Sequence, residues 1–329
     1  MMGFHMSAAI EVRGLVKRYG DVEAVRGVDF AVARGEVFGL LGPNGAGKTT
    51  TVEILEGHRE RTAGEVSVLG HDPQRRERAL RERVGIVLQS CGMYRHVTVR
   101  EAVAHWAGFY PRPRDVDEVV ALAGLSESAD VRTGRLSGGQ LRRLDFALAL
   151  VGDPELIFLD EPTTGFDPAA RRKAWEVIGA LRDLGTSVLL TTHYMEEAQV
   201  LADRVAVLRT GSIVGLGTPA ELATQLRLDS TLTFTLPAGV SASELPTSLH
   251  DPQVIGSLVS APCAEPTAVL AELCQWALER NLPLPDLQVR APSLEESYLA
   301  LTSATDTPTD IDAASSVSTV TSQATGASR

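Results

Sequence analysis

Cysteine is scarce in this chain, with only 3 cysteines among 329 residues. Cys91, Cys263 and Cys274 are far apart and lack the paired spacing of metal-binding cysteines. An odd set of scattered thiols is not typical of a disulfide framework either. We therefore expect free thiols in a reducing compartment, with no zinc site and no structural disulfide.

Long apolar segments are also missing from the sequence. A helix that spans a membrane needs roughly 20 consecutive apolar residues, and no run approaches that length. Residues Met1–Met6 do not combine a basic segment with an apolar core, so we expect no secretory signal. The several methionines in this stretch leave the true start codon open.

Basic residues are outnumbered by acidic ones, 31 against 42, which gives a net charge of −11. Proteins that bind nucleic acids generally concentrate positive charge on one face. Clusters such as Arg171–Lys173 stand among acidic residues and are typical of solvated helix faces. The charge pattern therefore argues against a general nucleic-acid-binding protein, and we expect no nucleic acid among its partners.

A glycine-rich segment carries the first chemical signal. It follows the apolar strand predicted at Val37–Leu41 and precedes a predicted helix at Thr49–Glu56. This strand–loop–helix order is the context of the phosphate-binding loop G-x-x-x-x-G-K-[ST]. In such a loop, backbone N–H groups surround phosphate oxygens and the helix directs its positive end at them. The matching residues are Gly42, Pro43, Asn44, Gly45, Ala46, Gly47, Lys48 and Thr49.

Two further motifs follow in a fixed order. The pentapeptide Leu136-Ser137-Gly138-Gly139-Gln140 precedes the apolar strand predicted at Leu156–Asp160, which is followed directly by Glu161. With the phosphate loop, this set over Ile10–Leu222 resembles the ATP-binding subunits of ABC (ATP-binding cassette) proteins. The resemblance implies that the pentapeptide of one subunit closes over ATP held by the phosphate loop of another. Leu141 departs from the family pattern, which often has a basic or polar residue there.

The resemblance implies a role for each motif residue. Lys48 is expected to contact the β- and γ-phosphates, Thr49 to ligate Mg²⁺ and Thr50 to contact the α-phosphate. Ser137 and Gly139, flanked by Gly138 and Gln140, are expected to contact the γ-phosphate of ATP on the partner subunit.

The two adjacent acidic residues, Asp160 and Glu161, are expected to have different roles. Asp160 ends a buried strand at the sheet edge where ligands bind, so it is expected to hold Mg²⁺, through water. Glu161 would point the other way along the strand and is the candidate to orient or deprotonate the attacking water.

Four more residues complete the expected site. His193 matches the family's switch histidine, which makes it a catalytic candidate with Glu161 and Lys48. Gln89 matches the glutamine that contacts Mg²⁺ or water and senses the membrane partner, and a surface glutamine is its alternative. Asp167 fits the loop that crosses the dimer interface, although Phe166 stands where leucine is commoner. Tyr19 is the candidate to stack on adenine, with a plain turn or core tyrosine as the alternative.

The predicted fold is α/β: a P-loop NTPase ABC cassette with a mostly parallel sheet, an antiparallel β subdomain and a helical subdomain. Strands are predicted around the turn at Tyr19–Asp21, and at Val84–Gln89, Ser187–Thr192 and Val205–Leu208. We expect the cassette over residues 10–226 and a small α+β C-terminal domain over 227–302. Residues 303–329 are rich in Ser, Thr and Ala without apolar periodicity, which predicts a disordered tail.

The resemblance predicts an ATP-hydrolysing subunit of a membrane exporter for drugs or other amphiphilic compounds, nearest to the daunorubicin-type exporter ATPases. Its expected partners are a second copy of itself and a separate membrane permease. It would then lie at the cytoplasmic face of the membrane, with ATP and Mg²⁺ as cofactors. A soluble ABC ATPase that acts on nucleic acid or ribosomes, and an importer ATPase, are the alternatives.

Removal of the tail tests the predicted domain organisation. Truncation after Thr302 is expected to leave ATP binding, ATPase rate and melting temperature nearly unchanged, because the tail lacks the apolar residues needed to pack. Calorimetry and a steady-state ATPase assay check this. A folded truncated protein that no longer binds ATP would contradict the division.

Overall fold

The computed structural model describes residues 8–87, 95–225, 229–237 and 239–303. Its strands are β1 (Ala8–Tyr19), β2 (Val22–Ala33), β3 (Val37–Leu41), β4 (Ala63–Val68), β5 (Val84–Val87), β6 (Leu156–Asp160), β7 (Ser187–Thr192), β8 (Arg204–Arg209), β9 (Ser212–Gly217), β10 (Ser230–Thr235), β11 (Gln253–Ile255), β12 (Leu258–Cys263) and β13 (Gln288–Arg290). Its α-helices are α1 (Lys48–Leu55), α2 (Arg78–Arg81), α3 (Val99–Ala107), α4 (Val116–Leu122), α5 (Gly138–Leu150), α6 (Pro168–Asp183), α7 (Met195–Leu201), α8 (Pro219–Gln225), α9 (Pro266–Glu279) and α10 (Leu294–Ser303).

A six-stranded sheet in the order β5-β6-β7-β3-β8-β9 forms the centre of the fold. Its first five strands run parallel, and β9 pairs antiparallel with β8. Leu156 and Phe158 pack in one apolar cluster, while their neighbours Ile157 and Leu159 pack in another. This alternation buries both faces of the sheet, as parallel sheets require, and confirms the predicted α/β class.

The antiparallel hairpin predicted around Tyr19–Asp21 is present as β1 and β2, and β4 extends it to a three-stranded sheet in the order β2-β1-β4. Its apolar face packs with α1 against the central sheet. Neither β4 nor β9 is among the strands that the sequence predicts. Each contains glycine and is largely half-exposed or exposed, so its apolar pattern is weak.

The helices α3, α4 and α5 form the helical subdomain predicted between the phosphate loop and the acidic strand, and they share an apolar cluster with the central sheet. Side-chain caps define where these helices start. Thr98 and Glu101 form a capping box at α3, and Asp115 accepts hydrogen bonds from two N–H groups at the start of α4. Within the described residues, no helix is both long and apolar enough to cross a membrane.

The C-terminal part contains a second, antiparallel sheet in the order β11-β12-β10-β13, which packs with α9 around its own apolar cluster. The helix α10 belongs to a different cluster. Leu294 packs there with cassette residues such as Ala198 and Leu222, and its N–H donates to Gln199 Oε1 at 3.4 Å. The final helix of the described chain therefore packs on the cassette, while the domain boundary expected at residue 227 stays a prediction.

Replacement of Leu294 tests this packing. The side chain is 1% exposed, so Leu294→Ala is expected to lower the free energy of unfolding by about 2–5 kcal/mol through lost burial and a cavity. Leu299 on the same helix is 56% exposed, so Leu299→Ala is the matched control, with a change of about 0.5 kcal/mol or less. Urea denaturation measures both, and equal effects would show that α10 is not held by Leu294.

Candidate functional site

The glycine-rich loop joins β3 to α1 and has no room for side chains at two of its glycines. A Cβ on Gly42 would lie 2.3 Å from the carbonyl oxygen of Leu208. A Cβ on Gly47, whose φ is +102°, would lie 2.6 Å from the carbonyl oxygen of Ala24. Glycine at these positions lets the backbone itself line the loop, which is how such loops bind phosphate.

Lys48 begins α1 and is 4% exposed, so its ammonium group lies inside the loop. Its Nζ donates to the carbonyl oxygens of Gly42 at 2.8 Å and Pro43 at 3.2 Å. The side chain of Thr49 is exposed, and that of Thr50 is half-buried. A buried cation, a row of backbone N–H groups and an exposed hydroxyl are what a triphosphate with Mg²⁺ requires.

Asp160 is the last residue of β6 and is 9% exposed. Its Oδ1 accepts a hydrogen bond of 2.5 Å from Thr191 Oγ1 on the neighbouring strand β7. The carboxylate therefore lies at the carboxyl edge of the central sheet, as its position in the sequence predicts.

The expectation that Glu161 continues the strand is wrong. Its φ is +46°, in the left-handed region that residues with a side chain rarely adopt. Its N–H donates to the carbonyl oxygen of Thr191 at 3.2 Å and to Thr191 Oγ1 at 3.0 Å. The direction of the Glu161 side chain therefore comes from this turn, and not from strand alternation.

The three predicted catalytic residues lie together around the Glu161 carboxylate. Its Oε1 is 3.6 Å from Lys48 Nζ and 3.4 Å from His193 Nδ1. Its Oε2 accepts a hydrogen bond of 3.1 Å from Thr164 Oγ1. Thr164 and Thr191 thus touch the acidic pair, although nothing in the spacing of the sequence distinguishes them from other threonines.

The pentapeptide forms the start of α5. Ser137 Oγ accepts from the Gln140 N–H at 3.2 Å, and Gln140 Oε1 accepts from the Ser137 N–H at 2.9 Å. This capping box leaves Ser137 and Gly138 exposed at the positive end of the helix. Asp167 caps the start of α6 without such a reciprocal bond, since its Oδ1 accepts from two backbone N–H groups at 2.9 Å each.

A cleft of ≈ 830 Å³ separates the pentapeptide from the segment that follows β6. Glu161, Thr164 and Asp167 line one side, and residues of α5 line the other. None of the phosphate-loop residues 42–50, all of them described, lines this cleft. The cleft beside the pentapeptide is therefore lined by the segment after β6 and by α5, and not by the phosphate loop of the same chain.

Tyr19 ends β1 and is 41% exposed beside two cations. Lys17 Nζ lies 5.1 Å and Arg59 Cζ 5.3 Å from the centre of its ring. Arg59 is in turn bound to Glu53 of α1 at 2.5 Å. The exposed ring fits the predicted stacking on adenine, which stays a prediction, and Gln89 lies outside the described residues.

The comparisons with known proteins place this geometry in a family. Residues 25–164 match the family described as ABC transporter, and residues 230–293 match the C-terminal domain of ABC transporter domain-containing proteins. The chain is 37% identical over 302 residues to a daunorubicin resistance ATP-binding protein of Streptomyces coeruleorubidus, covering 89% of this chain and 96% of that protein. The chain belongs to the ABC transporter ATP-binding family.

Other relatives agree with this assignment. The Nod factor export ATP-binding protein I of Rhizobium meliloti is 38% identical, with 91% of this chain and 90% of that protein covered. The linearmycin resistance ATP-binding protein of Bacillus subtilis is 31% identical, with coverage of 90% and 99%. Among solved structures, CbiO1 of Clostridium perfringens superposes with a TM-score of 0.60 at 27% identity, over 67% of this chain and 92% of that one. The protein is thus an ABC ATPase, as the sequence predicts.

A groove of ≈ 560 Å³ opens between the end of α1, the helix α2, β5 and the helices α3 and α5, and Asp145 of α5 lines both this groove and the cleft beside the pentapeptide. Its walls are largely apolar and include Trp106 and Tyr110. Glu56 lies in it with a side chain that is 3% exposed, 3.1 Å from His58 Nδ1. Burial and the negative charges of Asp160 and Glu53 raise the pKa of Glu56 to about 8.

Two substitutions separate the predicted chemistry from nucleotide binding. Glu161→Gln is expected to retain ATP binding but to lower kcat by about 100-fold or more, because a general base is removed. Lys48→Ala is expected to raise the Kd for ATP by roughly 10- to 100-fold, since a charged hydrogen bond is lost. Equilibrium binding of a fluorescent ATP analogue and steady-state ATPase rates distinguish the two effects.

Glu196→Gln is the matched control for Glu161→Gln, because it removes the same charge from an exposed position on α7. Its binding and rate are expected to equal those of the parent. A parental ATPase rate for Glu161→Gln would remove Glu161 from the catalytic role.

Proposed function

We propose that this ABC ATPase is the energising subunit of a membrane exporter, in which two copies sandwich two ATP molecules beneath a separate permease. The observation that carries the dimer is the exposed pentapeptide, whose neighbouring cleft is not lined by the phosphate loop of the same chain. A second copy can bring its phosphate loop to this exposed helix end, where the positive end of α5 favours the γ-phosphate.

Each copy would hold ATP by the same set of residues. The loop from Gly42 to Gly47 surrounds the phosphates, Lys48 neutralises the β- and γ-phosphates, and Tyr19 stacks on adenine. Thr49 and Asp160, with Gln89, would hold Mg²⁺, since hydroxyl, carboxylate and amide oxygens are the donors that this ion prefers. Bound there, Mg²⁺ would neutralise part of the charge that develops on the transferred phosphoryl group.

Glu161 is the residue proposed to act on water. Its carboxylate accepts a proton from a water molecule, the oxygen of that water bonds to the γ-phosphorus, and the bond from this phosphorus to the β–γ bridging oxygen of ATP breaks. ADP and inorganic phosphate are the products. Lys48 and His193, at 3.6 and 3.4 Å from the same oxygen, hold the carboxylate in place, and the Lys48 ammonium adds positive charge beside the phosphate.

The groove beside α1, α2, β5, α3 and α5 is the candidate docking site for the permease. Its largely apolar walls suit a short amphipathic segment of a partner, and the neutral form of Glu56 at pH 7 adds no charge to its floor. Binding there would place the chain at the cytoplasmic face of the membrane, although the chain itself contributes no described spanning helix.

The functions of the relatives favour export as the direction of transport. They are daunorubicin resistance, Nod factor export and linearmycin resistance. Amphiphilic compounds are therefore the proposed cargo class. An importer ATPase and an ABC ATPase that acts on nucleic acid or ribosomes are the alternatives. Co-purification with a neighbouring gene product that has about six apolar spans would exclude the ATPase that acts on nucleic acid or ribosomes. A requirement for an extracellular binding protein would identify an importer.

Mixing two inactive variants tests the shared site. A Lys48→Ala chain and a Ser137→Arg chain together form dimers in which one composite site is intact and the other is doubly broken. We expect roughly a quarter of the parental ATPase rate, since half of the randomly paired dimers are mixed and each has one intact site. Each variant alone is the control and stays inactive. Full activity in a strictly monomeric preparation would overturn the composite site.

A further inference from the structure

Arg142 is a buried guanidinium on the pentapeptide's own helix. It lies five residues after Ser137 on α5 and is 7% exposed, and charged residues are almost never this buried without partners. Its Nε donates to the carbonyl oxygen of Pro162 at 3.2 Å, and its Nη2 lies 3.5 Å from the carbonyl oxygen of Asp160. Its Nη1 lies 3.7 Å from Asp145 Oδ2, which balances the charge.

The two carbonyl groups that Arg142 contacts flank Glu161, the residue with φ of +46°. A residue with a side chain persists in this sparsely populated conformation only where its surroundings hold it. Thr191 holds the N–H of Glu161 from strand β7. Arg142 holds the carbonyl groups before and after it from α5, so the turn is fixed from two sides.

We propose that Arg142 is a positioning residue that sets the direction of the Glu161 carboxylate from the chain's own pentapeptide helix. The inference rests on the proposed function in one respect. If Ser137 contacts ATP held by the partner copy, α5 then joins the pentapeptide at one ATP site to the Glu161 of the other. A displacement of α5 on engagement of one ATP would reach the second catalytic carboxylate through a single guanidinium.

Mixed dimers decide on which site Arg142 acts. One chain carries Lys48→Ala and supplies the intact pentapeptide, and the other carries Ser137→Arg and supplies the intact phosphate loop with its Glu161. Arg142→Met in the second chain is expected to lower the rate of the mixed dimers by about 10- to 100-fold, because the acting carboxylate is misplaced. Arg142→Met in the first chain is expected to leave the ATPase rate within about twofold of that of the mixed dimer with Arg142 intact, because distant substitutions act nearly independently.

The inference would be overturned if Arg142→Met lowered the ATPase rate equally in either chain. It would also be overturned if the rate fell in neither arrangement, or only with the change in the first chain. A loss only in the first chain would mean that Arg142 shapes the pentapeptide. Failure of the mixed dimers without any change at Arg142 would contradict the composite site and not the role of Arg142.

A double-mutant cycle on the unmixed protein tests Arg142 independently of any composite site. Arg142→Met is expected to lower kcat by about 10- to 100-fold with KM for ATP nearly unchanged. In a Glu161→Gln background the same change is expected to lower the residual rate by less than about twofold, because both substitutions disable one unit. Additive losses, or a parental kcat for Arg142→Met, would overturn the proposal.

Two further variants distinguish a specific role of Arg142 from a general loss of folding. Arg142→Lys retains the charge but cannot reach both carbonyl groups with a planar fork, so an intermediate kcat is expected. Arg143→Met is the matched control on the same helix. Arg143 is half-buried and its Nη1 donates to the carbonyl oxygen of Gly124 at 2.6 Å, away from Glu161. Its kcat is expected to stay within about twofold of the parent, and a loss equal to that of Arg142→Met would count against a specific role.

Discussion

The side-by-side alignment of the carboxyl ends of β3, β6 and β7 is the constraint on which the rest of this structure depends. Leu41 pairs with Thr192, and Asp160 pairs with Thr191. Parallel strands in register bring the loops that follow them to one edge of the sheet. The phosphate loop follows β3, Asp160 ends β6 and Glu161 follows it, and His193 follows β7. Their meeting therefore follows from strand register, and the helices behind the sheet keep that register by burying both of its faces.

Glu161 shows how the edge of the sheet is adapted for chemistry. A regular strand would have carried this side chain to the opposite face from that of Asp160. The left-handed turn at Glu161 instead ends the strand and directs the carboxylate to Lys48 and His193. Such a conformation is costly, and it is held here by hydrogen bonds from β7 and from α5. The proposed catalytic geometry thus depends on β7 and α5 as well as on the phosphate loop.

The helix α10 adds a link between the C-terminal part and the cassette. It packs on α7, which begins two residues after His193, and on α8, through Leu294 and its apolar neighbours. A composition change after residue 226 predicts a new unit in the sequence, but it does not predict that the chain returns to the cassette. The apolar face of a short helix looks the same whether its partner is near or far in the sequence.

The sequence by itself determined the family, the order of the motifs and most of the regular elements. Strands such as Leu156–Asp160 and Ser187–Thr192 have their predicted bounds because local apolar runs and flanking breakers decide them. The capped start of α5 was also local information, carried by Ser137 and Gln140. Tertiary structure alone decided the conformation of Glu161, the contacts of Thr191 and Arg142, and the place of α10. Each of these depends on residues brought together from distant parts of the chain, and local periodicity does not predict such contacts.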